Sequence, residues 1–409
     1  MEKPYEELKS FFDRHRDDMI AMWKDFVETP SWARNREAAM KMGDKLVSVF
    51  HDMGLRTAEH DVGPVNSRII EAFWGEDRPG KPILFGGHYD TVNNSLNADA
   101  KPGDVNEFDG TPHFRIDDTG KAYGLGALDM KGGLVMAIWI VKALQEIGWN
   151  ERPVRFLIAG DEDKGHYGGN SPEMLVKLAR GALLCFNMET GRITNEICVG
   201  RKGGGEGEMW VEGVAAHAGN DFARGRNAIT EMAHKILQLS SLTNTSAGTT
   251  VAPTIIDGGT VANGIPGNCH IYFDARYTQK SEQERVKKAF HDIASHADIE
   301  GTKTSYVFKE FMGPFTETKI NDAIADFVSA ESVKQGFGPM KHIFLGGCSD
   351  ASYFQEGGVS TVCSMGVRGE FNHTAREYAV VDSMFERAKI IGCSILDLQE
   401  FVDEYGLES

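Results

Sequence analysis

The sequence predicts an α/β fold with a mainly parallel sheet, interrupted by a smaller inserted α+β module. Three observations carry that expectation. Apolar runs of strand length alternate with helical periodicity before Gly200, at Arg68 to Trp74, Ile83 to Phe85, Val154 to Ala159 and Leu183 to Phe186, as in a layered α/β sheet. After Gly200 the texture changes to a strand, helix, strand, strand, helix, strand order, which suits an antiparallel sheet with helices on one face (βαββαβ). From Asn321 the α/β texture returns, so the module sits inside the first domain. A chain of 409 residues also exceeds what one hydrophobic core sustains. The expected division is residues 1–200 with 313–409 for the discontinuous outer domain, and 201–312 for the insert.

Each element has its own warrant. Leu8, Phe11, Phe12, Met19, Met22, Trp23 and Phe26 recur at three- and four-residue steps, predicting one opening amphipathic helix. A second helix, about Glu37 to Met53, has its stop at Gly54. Helices at Gly133 to Ile147 and Pro172 to Ala179 fall between the strands. The stretch RKGGGEGEMWVEGV opens the insert with glycines and then alternates as a half-buried strand does. Helix Ala228 to Leu242, strands Thr250 to Ile256 and His270 to Tyr277, helix Ser281 to His296 and strand Ser305 to Phe311 follow. The outer domain then resumes with helix Ala323 to Lys334, strands His342 to Leu345 and Thr361 to Met365, and a closing helix from Ser383. Asn93 to Tyr123 is polar and rich in Asn, Asp, Gly and Pro, and is expected as a loop of functional length.

Composition narrows the function. Hydrophobic residues make up 41% and charged residues 25%, as in globular proteins generally. A net charge of −17 repels polyanions and argues against a nucleic-acid or anionic-membrane partner. The longest apolar run, Leu134 to Val141, falls far short of the roughly 20 residues a bilayer span needs. The N-terminus has neither a basic nor an apolar signal region, and the six cysteines show no CxxC pairing, so a reducing cytoplasm with free thiols is expected.

Acidic and imidazole groups follow the apolar runs. His88 and Asp90 end the first, Asp161-Glu162-Asp163 follow VRFLIAG, and Glu189 follows LLCFNM. Asp129 lies in YGLGALDMKGG before a helix, and His373 lies in FNHTAREY before the closing helix. In open α/β sheets ligands bind at the carboxyl ends of strands, so these groups are placed to converge. Two imidazoles and several carboxylates without thiolate suit Zn²⁺, Mn²⁺ or Co²⁺ better than Ca²⁺ or Mg²⁺. Clustered carboxylates without a cation would raise one another's pKa. Neither an HxD pair nor a DED triplet is specific alone. Their joint order, each after an apolar strand, is what makes chance a poor explanation.

At this point the sequence resembles the M20 family of co-catalytic metallopeptidases and deacylases, which includes glutamate carboxypeptidase, succinyl-diaminopimelate desuccinylase and acetylornithine deacetylase. The motifs are GGHYDTV, GLGALDMKGG, AGDEDKGHYGG, NMET, GVAAHAG with GRNAI, and FNHT, from about Arg68 to the C-terminus. The resemblance implies two divalent metal ions per subunit, with His88 and Glu189 on one, Asp129 as bridge, and Asp163 with His373 on the other. It implies that Asp90 braces the His88 ring and that Glu162 is the general base. The family usually has glutamate where this chain has Asp163. The insert resembles the family's lid and dimerisation domain, implying a homodimer in which His217 stabilises an oxyanion. Asn263 and Arg276 match positions that hold a substrate carboxylate, and Gly346-Gly347-Cys348-Ser349-Asp350 resembles a glycine-rich substrate loop. Glu189 places the chain on the carboxypeptidase and deacylase side.

The resulting expectation is a dinuclear-metal hydrolase, with zinc first and manganese or cobalt as alternatives, cleaving an amide next to a carboxylate-bearing amino acid. An alternative is an M20-type hydrolase of a non-peptide small molecule, such as hydrolytic deamination of an aromatic amine. A third reading, a non-catalytic binding protein on the same scaffold, predicts the loss of a ligand or of Glu162, and both are present in competent form.

Overall fold

The computed structural model describes residues 3–92, 113–374 and 376–408. Two compact units emerge, one of Met1–Val199, Glu317–Phe344 and Ser349–Ser409, the other of Gly200–Thr316 with Leu345–Cys348. The segment Leu345–Cys348, read from sequence as outer domain, thus groups with the second unit.

The amphipathic opening forms two helices rather than one. Helices α1 (Tyr5–Arg14) and α2 (Arg16–Val27) meet at His15, whose φ of −102° and ψ of 19° leave the helical region. A single such residue barely disturbs the apolar spacing, and Leu8, Phe12, Met19, Trp23 and Phe26 are all buried. Helix α3 (Arg36–Asp52) starts where the Asn35 side chain accepts the Ala38 N–H and ends before Gly54 at φ 75°, a cap and stop of the usual chemistry. Strands β1 (Arg56–His60), β2 (Ile69–Trp74) and β3 (Ile83–His88) follow. The buried helix α4 (Gly132–Glu146), strand β4 (Val154–Ala159), helix α5 (Ser171–Ala179) and strand β5 (Leu184–Asn187) complete the first stretch.

In the second unit, β6 (Gly203–Glu212), α6 (Ala228–Ser241), β7 (Thr250–Gly258), β8 (Asn268–Tyr277), α7 (Lys280–Ser295) and β9 (Lys303–Met312) follow the expected order. The sheet runs β7-β8-β6-β9 with every pair antiparallel. Met209, Val211, Ile271 and Phe273 point to one face and pack with Met232, Leu239, Val286 and Phe290 of the helices, as the period-two alternation requires.

The chain returns to the first unit through α8 (Lys319–Lys334), α9 (Ala351–Glu356), β10 (Ser360–Val362) and α10 (Val381–Tyr405). Its main sheet has the order β1-β2-β4-β3-β5-β10. The pairs β4–β3, β3–β5 and β5–β10 are parallel, whereas β1–β2 and β2–β4 are antiparallel. His88 lies opposite Ala159 and Gly86 opposite Asn187, so the parallel strands end together. A second sheet, absent from the sequence expectation, joins Arg115–Ile116, Lys121–Tyr123, Tyr378–Val380, Arg368–Glu370 and Gly191–Arg192. Part of the expected loop Asn93 to Tyr123 is therefore strand, and its residues 93–112 lie outside the described residues. Among the described residues no helix is long and apolar enough to cross a membrane.

Candidate metal centre

Close backbone approaches bring the acidic groups together. Strand β3 runs into Gly86 and Gly87, where a Cβ would lie 2.3 Å from the Phe354 ring and 2.3 Å from Met130 Cε respectively. Gly86 lets the strand pass against the Phe354 ring, while at Gly87 the neighbour is the flexible end of Met130, on the turn that carries Asp129. At the first turn of α4 a Cβ on Gly133 would meet the Met188 carbonyl oxygen at 2.0 Å, which seats that turn against the residue before Glu189.

The result is a paired arrangement around Asp129. His88 Nε2 lies 3.2 Å from Asp129 Oδ1 and 3.5 Å from Glu189 Oε1. On the other side His373 Nε2 lies 3.0 Å from Asp129 Oδ2 and 3.1 Å from Asp163 Oδ1. Asp129 thus offers one oxygen to each imidazole. The trios His88, Asp129, Glu189 and Asp129, Asp163, His373 each have ligand atoms within 4.8 Å of one another. Glu162 stands beside the first trio, 3.8 Å from His88 Nε2.

Asp90 has two jobs. The His88 Nδ1 is 3.0 Å from the Asp90 backbone oxygen and 3.4 Å from its carboxylate, which leaves Nε2 as the nitrogen with a free lone pair. The Asp90 carboxylate itself accepts the N–H groups of Glu162 at 3.1 Å and Asp163 at 2.9 Å. It holds the turn that presents both.

This donor set fits divalent cations. Burial, with Asp129 negative nearby, pushes Asp163 up to about 6, and burial with the charges of Glu189, Asp350 and Asp163 pushes Glu162 well above the usual carboxylate range, against the pull of His88. Burial opposes a charged His373, yet Asp129 and Asp163 outweigh it and raise the ring to about 12. Asp163 Oδ2 is buried without a hydrogen-bond partner. Crowded carboxylates and an orphaned buried oxygen are relieved by cations held on N and O ligands.

A further cluster was not foreseen from sequence. His166 Nδ1 lies 2.8 Å from Asp161 Oδ1 and its Nε2 lies 2.7 Å from Asp350 Oδ1, all buried. Asp161 also accepts from Asn66 Nδ2 at 2.5 Å and Ser171 Oγ at 2.6 Å. With a carboxylate on each nitrogen the ring is the imidazolium, held well above its usual pKa by Asp350 and Asp161 against burial. The cluster anchors the residue preceding Glu162. Glu377, also buried, was missed as well; its contacts are described below.

The remaining candidates lie in the second unit. His217 and Asn263 line a cavity of about 460 Å³ together with Val261 and Ile265. Arg276 is paired with Asp274, Nε to Oδ1 at 3.0 Å and Nη2 to Oδ2 at 2.8 Å.

Residues 199–302 match the model of the peptidase dimerisation domain of M20 enzymes, and residues 69–227 that of peptidase family M28. Carboxypeptidase G2 of Pseudomonas sp. (strain RS-16) is 24% identical over 365 residues, covering 88% of this chain and 82% of that protein. A succinyl-diaminopimelate desuccinylase of Nitrobacter hamburgensis is 26% identical over 404 residues, covering 91% of this chain and 97% of that one. The chain is a metal-dependent hydrolase similar to M20 enzymes. A solved M20 family metallo-carboxypeptidase of Sulfolobus solfataricus, 16% identical, superposes with a TM-score of 0.71 over 93% of this chain and 99% of its own, and so shares the fold. The dimerisation-domain match falls on the second unit, and the paired acid and imidazole groups all lie in the first.

Proposed function

We propose that this M20-type enzyme hydrolyses an amide bond next to a carboxylate-bearing amino acid, as a carboxypeptidase or N-acyl amino acid deacylase, using two divalent ions. The observation that carries the reading is Asp129 divided between His88 and His373, with Glu162 adjoining and outside both trios. His88, Glu189 and Asp129 would hold one ion, and Asp129, Asp163 and His373 the other, zinc being favoured with manganese or cobalt admitted by the same ligands. When bound, such ions polarise an amide carbonyl and make water acidic enough to attack it. Glu162 takes the proton released in the attack and delivers it to the leaving nitrogen. Asp90 keeps Glu162 in reach through its backbone N–H.

The second unit is assigned substrate recognition and homodimer formation. His217 Nδ1 accepts the N–H groups of Gly219 and Asn220 at 3.1 Å each, so in the neutral ring Nε2 carries the proton an oxyanion would take. Asn263 and Arg276 are assigned the substrate carboxylate. Asp274 engages Nε and Nη2 of Arg276 and fixes the plane in which the guanidinium is presented.

The test is Glu162→Gln assayed on N-acyl amino acids and dipeptides, on the same compounds with an amidated C-terminus, and on aryl amines. Hydrolysis is expected to fall by roughly 10²–10⁴ with metal content unchanged, and amidated substrates are expected to be poor. Undiminished turnover in the variant, or a preference for aryl amines, would defeat the proposal.

A further inference from the structure

Asp129 sits on a tight connection between the strand Lys121–Tyr123 and α4, and its backbone there is extended, with φ −113° and ψ 95°. An extended residue inside a turn has no helical or sheet partner for its N–H, and a buried N–H needs one. Glu377 supplies it. Glu377 Oε1 accepts the N–H of Leu128 at 2.7 Å and of Asp129 at 3.0 Å, and Oε2 faces the N–H of Gly126 at 3.3 Å. Glu377 is only 3% exposed, and the hydrogen bonds of its carboxylate run to peptide groups. The nearby Lys131 directs its ammonium to the carbonyls of Phe26 at 3.0 Å and Thr29 at 2.7 Å instead.

The same short segment also grips the other end of Asp129. His373 Nε2 and Asn372 Nδ2 each lie 3.0 Å from Asp129 Oδ2, while the Glu377 N–H bonds Thr374 O at 3.1 Å and closes the turn between them. Asn372, His373 and Glu377 thus hold both the carboxylate and the peptide of the group that faces both imidazoles. A carboxylate is suited to this because it accepts several N–H groups at once. A glutamine would turn an NH₂ toward one of them.

We propose that Glu377 is a positioning residue, fixing the peptide of Asp129 so that its two oxygens meet two different metal ions. The inference rests on the reading of Asp129 as a shared metal ligand.

The test titrates metal-free protein with Zn²⁺ by calorimetry, records the visible spectrum of the Co²⁺-loaded form, and measures kcat and KM, for wild type, Glu377→Gln, Glu377→Asp and Trp23→Phe. Trp23 Nε1 donates to Ala127 O at 3.0 Å on the same turn and serves as the control for simple loosening. Glu377→Gln is expected to weaken Zn²⁺ binding by about 10–100-fold, to alter the cobalt spectrum and to lower kcat with little change in KM. Glu377→Asp keeps the charge on a shorter arm and is expected to fall between, so it carries the test if the glutamine variant does not fold by circular dichroism. Trp23→Phe is expected to melt earlier with wild-type affinity. Wild-type affinity and spectrum in either folded Glu377 variant, or an equal loss in Trp23→Phe, overturns the assignment. A wild type that takes up no ion overturns instead the metal-ligand reading beneath it.

Discussion

Replacing Gly133 by alanine probes how closely the turn bearing Asp129 must approach Glu189. The new Cβ would stand 2.0 Å from the Met188 carbonyl oxygen, where a carbon and a carbonyl oxygen come no nearer than about 3.3 Å, so about 1.3 Å must be found. The Cβ is fixed rigidly to the backbone of the first turn of α4, and the oxygen belongs to the backbone just past β5. The relief therefore comes by parting the elements that carry Asp129 and Glu189, whose oxygens now stand 3.2 Å and 3.5 Å from His88 Nε2. Overpacking costs about 1–3 kcal/mol, while alanine regains about 1 kcal/mol of helix propensity over glycine, so the net stability change is small. A misplacement of about 1 Å at reacting groups, by contrast, costs on the order of 10² in rate. Amide hydrolysis at saturating metal and thermal unfolding are measured together. The expected result is a kcat lowered about a hundredfold with a modest change in Tm; wild-type kcat would refute the close-approach argument.

Two further outcomes are expected. His166→Asn keeps a residue that tolerates the φ of 59° found there but removes an imidazolium held between two buried carboxylates, and should cost about 3–5 kcal/mol in urea unfolding; a loss below 1 kcal/mol would show that the cluster is not a structural anchor. Asp397 is held down to about 2, burial opposing and Lys3, Lys334 and Tyr5 prevailing, so its stabilisation is present above the ordinary carboxyl pKa of about 4 and is lost as pH falls through about 2. Because Lys3 and Lys334 are 31% and 49% exposed, the effect of Asp397→Asn at pH 7 is about 1 kcal/mol after allowance for solvent screening. That difference should vanish near pH 2, and a difference that persists there would contradict the ion-pair origin.

Much of the arrangement was legible because its chemistry sits directly after apolar runs. His88 ends β3, and Asp163 and Glu189 follow β4 and β5, strands buried enough to stand out in sequence. The glycines of GGHYDTV were legible as permissive, but what they admit, the Phe354 ring and the Met130 side chain, was not. Strand β1 escaped notice because Arg56–His60 is an edge strand with no buried residue, and the second small sheet because strands of two or three residues carry no period. The Asp161–His166–Asp350 cluster and the Glu377 contacts join residues 184 and 248 positions apart. No local spacing encodes such pairings; they exist only once the chain has closed. The Asp274 partner of Arg276 lies two residues away on the same strand face, where sequence alone does not tell a pair from two solvated charges.

In the proposed hydrolytic site Asp129 is shared by two ions. Titrating the metal-free protein with Zn²⁺ while following both elemental content and amide hydrolysis tests it most directly. Two ions per chain at saturation, with activity complete only when both are bound, is the expected outcome; full activity with one ion per chain, or none, would refute a shared Asp129.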